Sequence, residues 1–500
     1  MKKTTLLVIG LVFGGLINAQ NFTDALRYSE METQGTARYT AMGGSFSALG
    51  GEVSALSKNP AGIGIYRNSE FTFSTAFNTI DTESRYLGET RSDGGLNFNI
   101  PNISYVGSYK GDANSWKNYS FGLSYNRITT FNEESRLAGN STNSTIINDY
   151  LDILNNDNAV VDEVSSFQYP FGPSEAWDVL MIDTLTNNSG QLTYVPLSVS
   201  FYGVDPSNIE QSRASRTKGN QSETAFTFGG NYQDRWFIGG GIGFQRVRFD
   251  REYTYTERYT FDGIVDPNEF YVTEYSEEIS QLILGTGVNF KFGVIYRFSD
   301  AFRLGGAIHS PTYFGFSEEF VYESNSKFIN GSAENSGESI SDFDYRLRTP
   351  ARFIGSLAYL FMNKAAINFE YEFVDYATAK LNDSQNSAFD YSPQNEGIES
   401  TLNSAHNVRL GAEIKEGPFV FRGGFKYSDN PFNSSIAFNP NENRKTYSLG
   451  GGYRSKNYNI DVAYSTFKRN SLDQIYASNP EVASIESREH NLVFTIGWRW

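Results

Sequence analysis

The chain has 500 residues, a formal net charge of −16, 15% aromatic residues and no cysteine. The missing cysteine excludes disulfides, thiol chemistry, cysteine metal sites and a lipoprotein anchor. The acidic charge argues against nucleic acid as a partner. The three histidines, His309, His406 and His490, lie far apart in the sequence, so we predict no metal site and no cofactor.

Residues 1–19 have the pattern of a secretory signal peptide. Lys2 and Lys3 precede an apolar run from Leu6 to Ile17, and Ala19 offers a small-residue cleavage site. Such a run is too short for a lasting membrane span. No 18-residue apolar stretch follows it, which excludes helical spans in the rest of the chain. We therefore expect an exported protein.

Fourteen segments of period-two alternation run from residue 69 to the end of the chain. In the last segment Leu492, Phe494 and Trp498 share one parity, and the chain ends on Trp500. Strands that are apolar on one face and polar on the other, in a chain rich in aromatic residues, are typical of an outer-membrane β-barrel. The predicted strands are 69–80, 95–110, 116–130, 222–233, 236–252, 278–298, 302–315, 341–361, 365–378, 403–416, 419–429, 444–455, 458–468 and 487–500.

The connections between these segments alternate between short turns and long polar loops. In outer-membrane barrels the short turns are periplasmic and the long loops are external. An even strand number returns the chain to its starting side, so we expect both termini in the periplasm. The prediction is an all-β protein, with a fourteen-stranded antiparallel transmembrane β-barrel over 68–500, in the outer membrane of a Gram-negative bacterium.

Two local features interrupt this pattern. The segment 95–110 changes phase at Pro101, which cannot donate a ladder hydrogen bond. We favour a structural bulge there over a gap in the barrel wall. The longest loop, 131–221, carries apolar residues at helical spacing. These residues either pack on each other as a cap, which we favour, or capture an apolar ligand: Tyr150, Leu151, Leu154, Trp177, Leu180 and Met181.

The segment 20–67 is rich in small residues and lacks strand periodicity. Its stretch from Thr36 to Gly51, with Gly43 and Gly44, followed by Asn59-Pro60-Ala61-Gly62, resembles the N-terminal hatch of the FadL family. Members of this family are outer-membrane transporters of long-chain fatty acids and other hydrophobic compounds. The stretches 287–311 and 347–359 are also similar to the family, and the resemblance spans the mature chain.

The resemblance implies a fourteen-stranded barrel plugged by the hatch, with long, partly helical external loops. It also implies capture of a hydrophobic small molecule by the loops, binding in the lumen, hatch movement and exit through the wall. Outer-membrane lipids and lipopolysaccharide would be partners. The aromatic content and signal junction resemble a Bacteroidetes-type homologue, a branch that includes PorV-like secretion subunits. A non-transporting subunit that docks protein partners is therefore the alternative, and we predict no enzyme activity.

Lumen cations could pair with a fatty carboxylate, a task that suits the bidentate guanidinium of arginine. The alternative is a salt-bridge ladder with Glu370, Glu372, Glu413 and Asp461. We favour the ladder because lumen charges need partners whether or not a ligand binds. Strand parity points the following candidate cations into the lumen: Arg346, Arg348, Arg352, Arg409, Arg422 and Lys291.

Overall fold

The computed structural model shows a closed barrel of fourteen antiparallel strands, which confirms the predicted fold. It describes residues 22–112, 115–141, 144–186, 190, 192–198, 206–262, 271–362, 364–384, 389–433 and 442–500. The signal peptide predicted at 1–19 lies outside these residues. Among the described residues, no helix is both long and apolar enough to cross a membrane.

Each barrel strand pairs with the next in the chain, and β14 pairs with β1 to close the sheet. The strands are β1 Glu70–Tyr86, β2 Glu89–Lys110, β3 Trp116–Thr130 with Glu133–Ser141, β4 Asn208–Tyr232, β5 Trp236–Thr260, β6 Val272–Arg297, β7 Phe302–His309 with Tyr313–Phe328, β8 Ser339–Arg348 with Arg352–Phe361, β9 Ala365–Asp375 with Lys380–Asp383, β10 Ser404–Glu416, β11 Phe419–Ser428, β12 Arg444–Arg454, β13 Tyr458–Gln474 and β14 Val482–Arg499.

The predicted short turns all lie at one end of this barrel, together with both ends of the strand sequence. The backbone N–H of Trp500 donates to the carbonyl of Ser69 at 3.2 Å, which ties the last residue to the start of β1. The indole of Trp500 also stacks on Tyr105, with ring centroids 6.0 Å apart. We call this end the turn end and the opposite end the loop end.

Several strands are longer at the loop end than predicted. The strand β4 begins at Asn208, inside the predicted loop 131–221, and β5 reaches Thr260. These extensions pair with each other over their full length. Their outward side chains are largely polar, while Tyr253, Tyr255 and Tyr259 pack inward under the cap. An apolar outward row exists only where a strand meets hydrocarbon, so the extensions lack the pattern that locates the membrane strands.

The hatch fills the barrel near its turn end. It consists of α1 Phe22–Arg27, α2 Ala37–Ala41 and two 3₁₀ helices, Ser54–Ser57 and Pro60–Ile65. A cap covers the loop end, with α3 Ile146–Asn156, α4 Val161–Ser165, α5 Pro173–Asp178 and a hairpin of Ile182–Thr186 with Leu192–Pro196. Smaller elements are Ala333–Asn335, the 3₁₀ turn Tyr376–Thr378 and α6 Ser392–Thr401.

Three neighbouring strands are interrupted at the same level of the wall. The breaks fall at 310–312 in β7, 349–351 in β8 and 376–379 in β9. Two of them contain Pro311 and Pro350, which cannot donate to a ladder. Thr312 and Thr349 join the breaks in β7 and β8 instead. The backbone N–H of Thr312 donates to the hydroxyl of Thr349 at 2.9 Å, and the backbone N–H of Thr349 donates to the carbonyl of Thr312 at 3.0 Å.

The break in β8 inverts the facing that parity predicted above it. Tyr345 and Leu347 are 0% and 1% exposed inside the barrel, where they pack near Tyr28 of the hatch. The prediction that Arg346 and Arg348 are lumen residues is therefore wrong: both face outward. A single strand over 341–361 would have kept one parity, but the bulge at 349–351 shifts it by one residue.

Below the breaks the wall faces as predicted. Outward side chains of this zone are aromatic or aliphatic and exposed, for example Phe244 at 51%, Phe292 at 54% and Phe421 at 62%. Inward side chains are buried and largely polar or small. We call the outward zone the apolar belt.

Candidate functional site

The hatch is fixed to the wall through close backbone approaches. The side chain of Asn59 accepts from the N–H of Ala61 at 3.0 Å and donates to the carbonyl of Ser47 at 2.6 Å. It thereby caps the 3₁₀ helix that starts at Pro60. Gly239 of β5 faces this helix, and a Cβ there would lie 2.4 Å from the carbonyl oxygen of Pro60.

The turn after α2 needs its glycines for conformation and space. Gly43 and Gly44 have φ of +62° and +76°, a region that other residues rarely adopt. A Cβ on Gly43 would lie 3.0 Å from the backbone nitrogen of Phe425, and Gly62 packs against Gly50. Of the predicted hatch residues, Gly43, Asn59 and Pro60 thus contact the wall, whereas Gly44 and Gly62 pack within the hatch. Whether the plug moves stays a prediction.

Buried carboxylates pair with the remaining predicted lumen cations. Glu372 accepts from Lys58 of the hatch at 3.1 Å, from Arg352 at 3.0 Å and from Arg409 at 3.2 Å. Arg409 also pairs with Glu370 at 2.8 Å. These side chains are at most 7% exposed. The observed arrangement is therefore the salt-bridge ladder, and Lys58 extends it to the hatch.

A second group of charges repeats this arrangement. Arg422 bridges Glu413 at 2.6 Å and Asp461 at 2.8 Å, and the hatch residue Arg38 pairs with Glu413 at 3.1 Å. Lys291 pairs with Glu223 inside the wall. Arg352, Arg409, Arg422 and Lys291 therefore have carboxylate partners, so none of these four predicted lumen cations is free to pair with a ligand. The clusters around Glu372 and Glu413 include Lys58 and Arg38 of the hatch and join plug and wall, whereas the pair of Lys291 lies within the wall.

A cavity of about 460 Å³ lies directly above the hatch, on the side of α1, a size within the usual range for ligand pockets. Its apolar lining includes Leu26, Phe249, Phe432, Leu472 and Ile485. Charged side chains lie among them on both the hatch and the wall. The cavity can therefore hold the apolar part of a ligand, and its charged side chains can bind a polar head group.

Arg251 is the cavity cation that the sequence analysis missed. Three other arginines of the lining are neutralised: Arg27 pairs with Asp24, Arg213 with Asp473 and Arg469 with Glu133. Within the described part of the chain, Arg251 forms no ion pair, and its guanidinium lies 5.1 Å from the ring centroid of Tyr253.

The hydrogen-bond ladder of the wall is interrupted beside this cavity. The ladder between β2 and β3 covers only 102–110 and 118–126, although both strands continue toward the loop end. The β1–β2 register shifts at 100–101, so Pro101 lies where this ladder ends. Ile128 of β3 has no partner in either ladder, and its carbonyl accepts from the N–H of the hatch residue Glu32 at 3.2 Å. Part of the hatch thus covers the unpaired edge.

The cap buries most of the residues that we considered for capture. Tyr150 and Leu154 are 1% and 0% exposed, and they pack in one cluster with Leu151, Met181 and the barrel residue Tyr275. Trp177 packs at its margin, while Leu180 is 39% exposed. Packing of the helices on each other and on the wall, which we favoured, is the observed arrangement.

A separate apolar pocket of about 300 Å³ lies at the edge of the cap. Met181 is the one residue from our capture set among its described lining. Ile147 of α3 also lines it, and the other apolar lining residues come from loops and strand ends: Pro196, Leu197, Pro206, Ile209, Phe261 and Val272. Sequence periodicity could not identify this pocket because most of its apolar lining is assembled from these loops and strand ends.

Polar contacts fix the cap to the strands beneath it. The hydroxyl of Tyr150 donates to Glu277 of β6, and the hydroxyl of Thr145 caps α3 by accepting from Ile147 N–H at 3.3 Å. Asp149 accepts from Ser478 N–H at 3.1 Å, and burial raises the pKa of its carboxyl. The described residues contain no group of three His, Asp or Glu side chains that could hold a metal.

Solved structures with this fold include a FadL homologue and a toluene transporter. A FadL homologue from Pseudomonas aeruginosa matches with a TM-score of 0.57 and 12% identity over 94% of this chain and 99% of that one. The toluene transporter TodX from P. putida matches with a TM-score of 0.52 and 13% identity, over 94% and 99%. No family model and no curated protein matches the sequence. The chain therefore has the FadL-type fold, as its hatch sequence indicated.

Proposed function

We propose that this chain is an outer-membrane channel for the uptake of hydrophobic small molecules, with long-chain fatty acids as the ligand class. The FadL-type fold is its premise. The observation that carries the proposal is the cavity above the hatch, which combines apolar lining residues with Arg251, a cation that has no carboxylate partner among the described residues.

The apolar belt supports placement in a membrane. Its outward side chains are mostly aromatic or aliphatic and exposed, which a soluble protein would avoid. The outward faces of the strand extensions beyond it are largely polar, as expected in water. With the turn end in the periplasm, the cap would face the outside of the cell, and N- and C-termini would be periplasmic.

The head group of a fatty acid would bind on one side of the cavity. Arg251 lies close enough to Arg27 and Arg213 to interact with both, while Asp24 and Asp473 pair with these two. This side therefore carries one excess positive charge, while Glu30, Glu32 and Glu489 of the lining lie on the side of Arg469. The tail would lie on the apolar lining, where each buried methylene contributes about 0.8 kcal/mol.

Exit would follow the incomplete wall beside Pro101. Release of the Glu32–Ile128 hydrogen bond would uncover the unpaired edge of β3, which links movement of the hatch to lateral release. The cavity favours transport over the alternative of a docking subunit, because a subunit that only binds proteins needs no space above its plug. Protein partners would appear as stoichiometric companions after gentle extraction.

The test is binding of oleate and of oleyl alcohol to the purified chain, followed by oleate uptake in cells. Arg251→Gln should weaken oleate binding about ten- to a hundredfold, the range for a charged hydrogen bond, and leave oleyl alcohol binding unchanged. The matched control is Arg248→Gln, since Arg248 is on the same strand but faces outward and pairs with Asp250 at 3.3 Å. Absence of binding of both lipids would refute the proposal.

A further inference from the structure

The outward turn of Arg346 and Arg348 creates a basic patch on the wall. Arg348 lies opposite Lys380 of β9, and Arg346 lies opposite Asn382. All these side chains are on the outer face, since Tyr345, Leu347 and Leu381 between them are buried inside. We call Arg346, Arg348 and Lys380 the basic patch.

The cations of the basic patch have no carboxylate partner within the described residues. Arg346 donates to the carbonyl of Ser384 at 2.8 Å, and Arg348 donates to that of Thr378 at 3.3 Å. Other outward arginines pair with acids, such as Arg216 with Glu134 at 2.8 Å and Arg488 with Glu486 at 2.9 Å. The basic patch thus keeps its full positive charge.

The basic patch lies just beyond the apolar belt. On β8 the belt runs from Phe361 at the turn end to Phe353, which are 45% and 49% exposed. At about 3.3 Å per residue and a tilt of about 40°, Arg348 is about 33 Å from Phe361 along the barrel axis, and the apolar band of such barrels is about 25 Å tall. Arg348 therefore lies about 8 Å into the headgroup region.

We propose that the basic patch binds the phosphate of a lipid headgroup in the outer leaflet, with lipid A as the chemical type. The tails of the lipid would lie on the belt below, against Phe353, while Tyr313, which is 55% exposed and opposite Arg348, marks the upper edge of the belt. The guanidinium forks match phosphate oxygens. Asp342 and Asp344, which lie above the basic patch on the same strand, would repel the phosphate and so keep it beside Arg346, Arg348 and Lys380.

The strand breaks explain why this site exists. Below the breaks, inward arginines such as Arg352 are neutralised by buried glutamates. Above the breaks, the same alternation of the sequence is shifted by one residue, so that aromatic side chains pack inside and cations meet the membrane surface. The proposal requires membrane insertion as stated under Proposed function, but neither the cavity nor Arg251.

The test is native mass spectrometry of the full-length chain in neutral detergent with added lipid A or its dephosphorylated form. The triple variant R346Q/R348Q/K380Q should lose affinity for lipid A about a hundredfold, at roughly fivefold per cation. The control R248Q/R258Q/K327Q removes the same charge from outward residues that pair with acids. It should bind like the wild type.

Equal binding of the dephosphorylated lipid, or equal loss in the control, would overturn the proposal. So would displacement of lipid A by millimolar inorganic phosphate, because the site would then recognise a free anion. If the triple variant does not fold, two other measurements test the proposal. Lys380→Gln alone should weaken lipid A binding, and the wild type should bind lipid A more tightly than its dephosphorylated form. Oleate binding by the triple variant should be unchanged, which separates this proposal from the proposed uptake.

Discussion

The strongest mutational prediction concerns the ion pair that joins hatch and wall. Lys58 is 2% exposed and donates to Glu372 at 3.1 Å, and Glu372 keeps two arginine partners without it. Lys58→Met therefore removes one charged hydrogen bond but leaves no buried charge unpaired. We expect the free energy of hatch opening to fall by about 2 kcal/mol, which is about a 30-fold rise in the open population.

The chain contains no cysteine, so one introduced thiol reports hatch opening. Ser47 is 1% exposed, and its hydroxyl has no hydrogen-bond partner among the residues that the structure describes, which makes Ser47→Cys a mild change. Maleimide labelling of that thiol in detergent should become about 30-fold faster with Lys58→Met. The matched control is Lys291→Met, which breaks a buried lysine–glutamate pair within the wall.

The control should change labelling less than about threefold if hatch opening is a local event. Heat-dependent gel mobility checks that each variant keeps its barrel. Equal labelling rates for the wild type and Lys58→Met would refute the reasoning, because the hatch would then not be held by this pair. Equal acceleration by both lysine variants would show loosening of the entire barrel instead.

Three further predictions concern packing and the cap. Gly239→Ala should speed labelling of the hatch thiol and destabilise the protein by about 1–3 kcal/mol, because the new Cβ would meet the backbone of the hatch. The Cβ added by Gly423→Ala would lie in open space, so this variant should be neutral. Equal effects of the two variants would contradict the contact at Gly239. Tyr150→Phe should cost the cap about 1–3 kcal/mol by leaving Glu277 short of a donor, measured as faster proteolysis of the cap, and an unchanged rate would contradict the assignment. Because burial raises the pKa of Asp149, its ionisation opposes folding, so cap stability should fall as pH rises above the ordinary aspartate range; Asp149→Asn should remove this slope, and a slope that persists would implicate other groups.

The sequence predicts the strand number and most facings because hydrocarbon imposes a strict period of two. Over 365–378 and 403–416, for example, Glu370 and Arg409 face each other inside as parity requires. The pattern fails at Thr349-Pro350, where the facing inverts. A signal was present there, since proline inside a predicted strand marks a bulge, as we recognised at Pro101.

The candidate site was harder to predict than the fold. Arg251 has the same parity as the inward Val247 and Phe249. Nothing in the sequence shows, however, that the three neighbouring arginines have acidic partners while Arg251 has none among the described residues. Ion pairing depends on residues far apart in the chain, such as Arg213 and Asp473. The hatch motif came from resemblance, while its contacts with the wall glycines became visible only in three dimensions.

The central claim is that a hydrophobic ligand occupies the cavity above the hatch in a membrane-embedded barrel. Its most direct test is the crystal structure of the chain grown with a fatty acid brominated along its tail, read by anomalous scattering. Bromine peaks within the cavity lining, with carboxylate density at Arg251, are the predicted result. Peaks confined to the outer face of the belt would contradict the account.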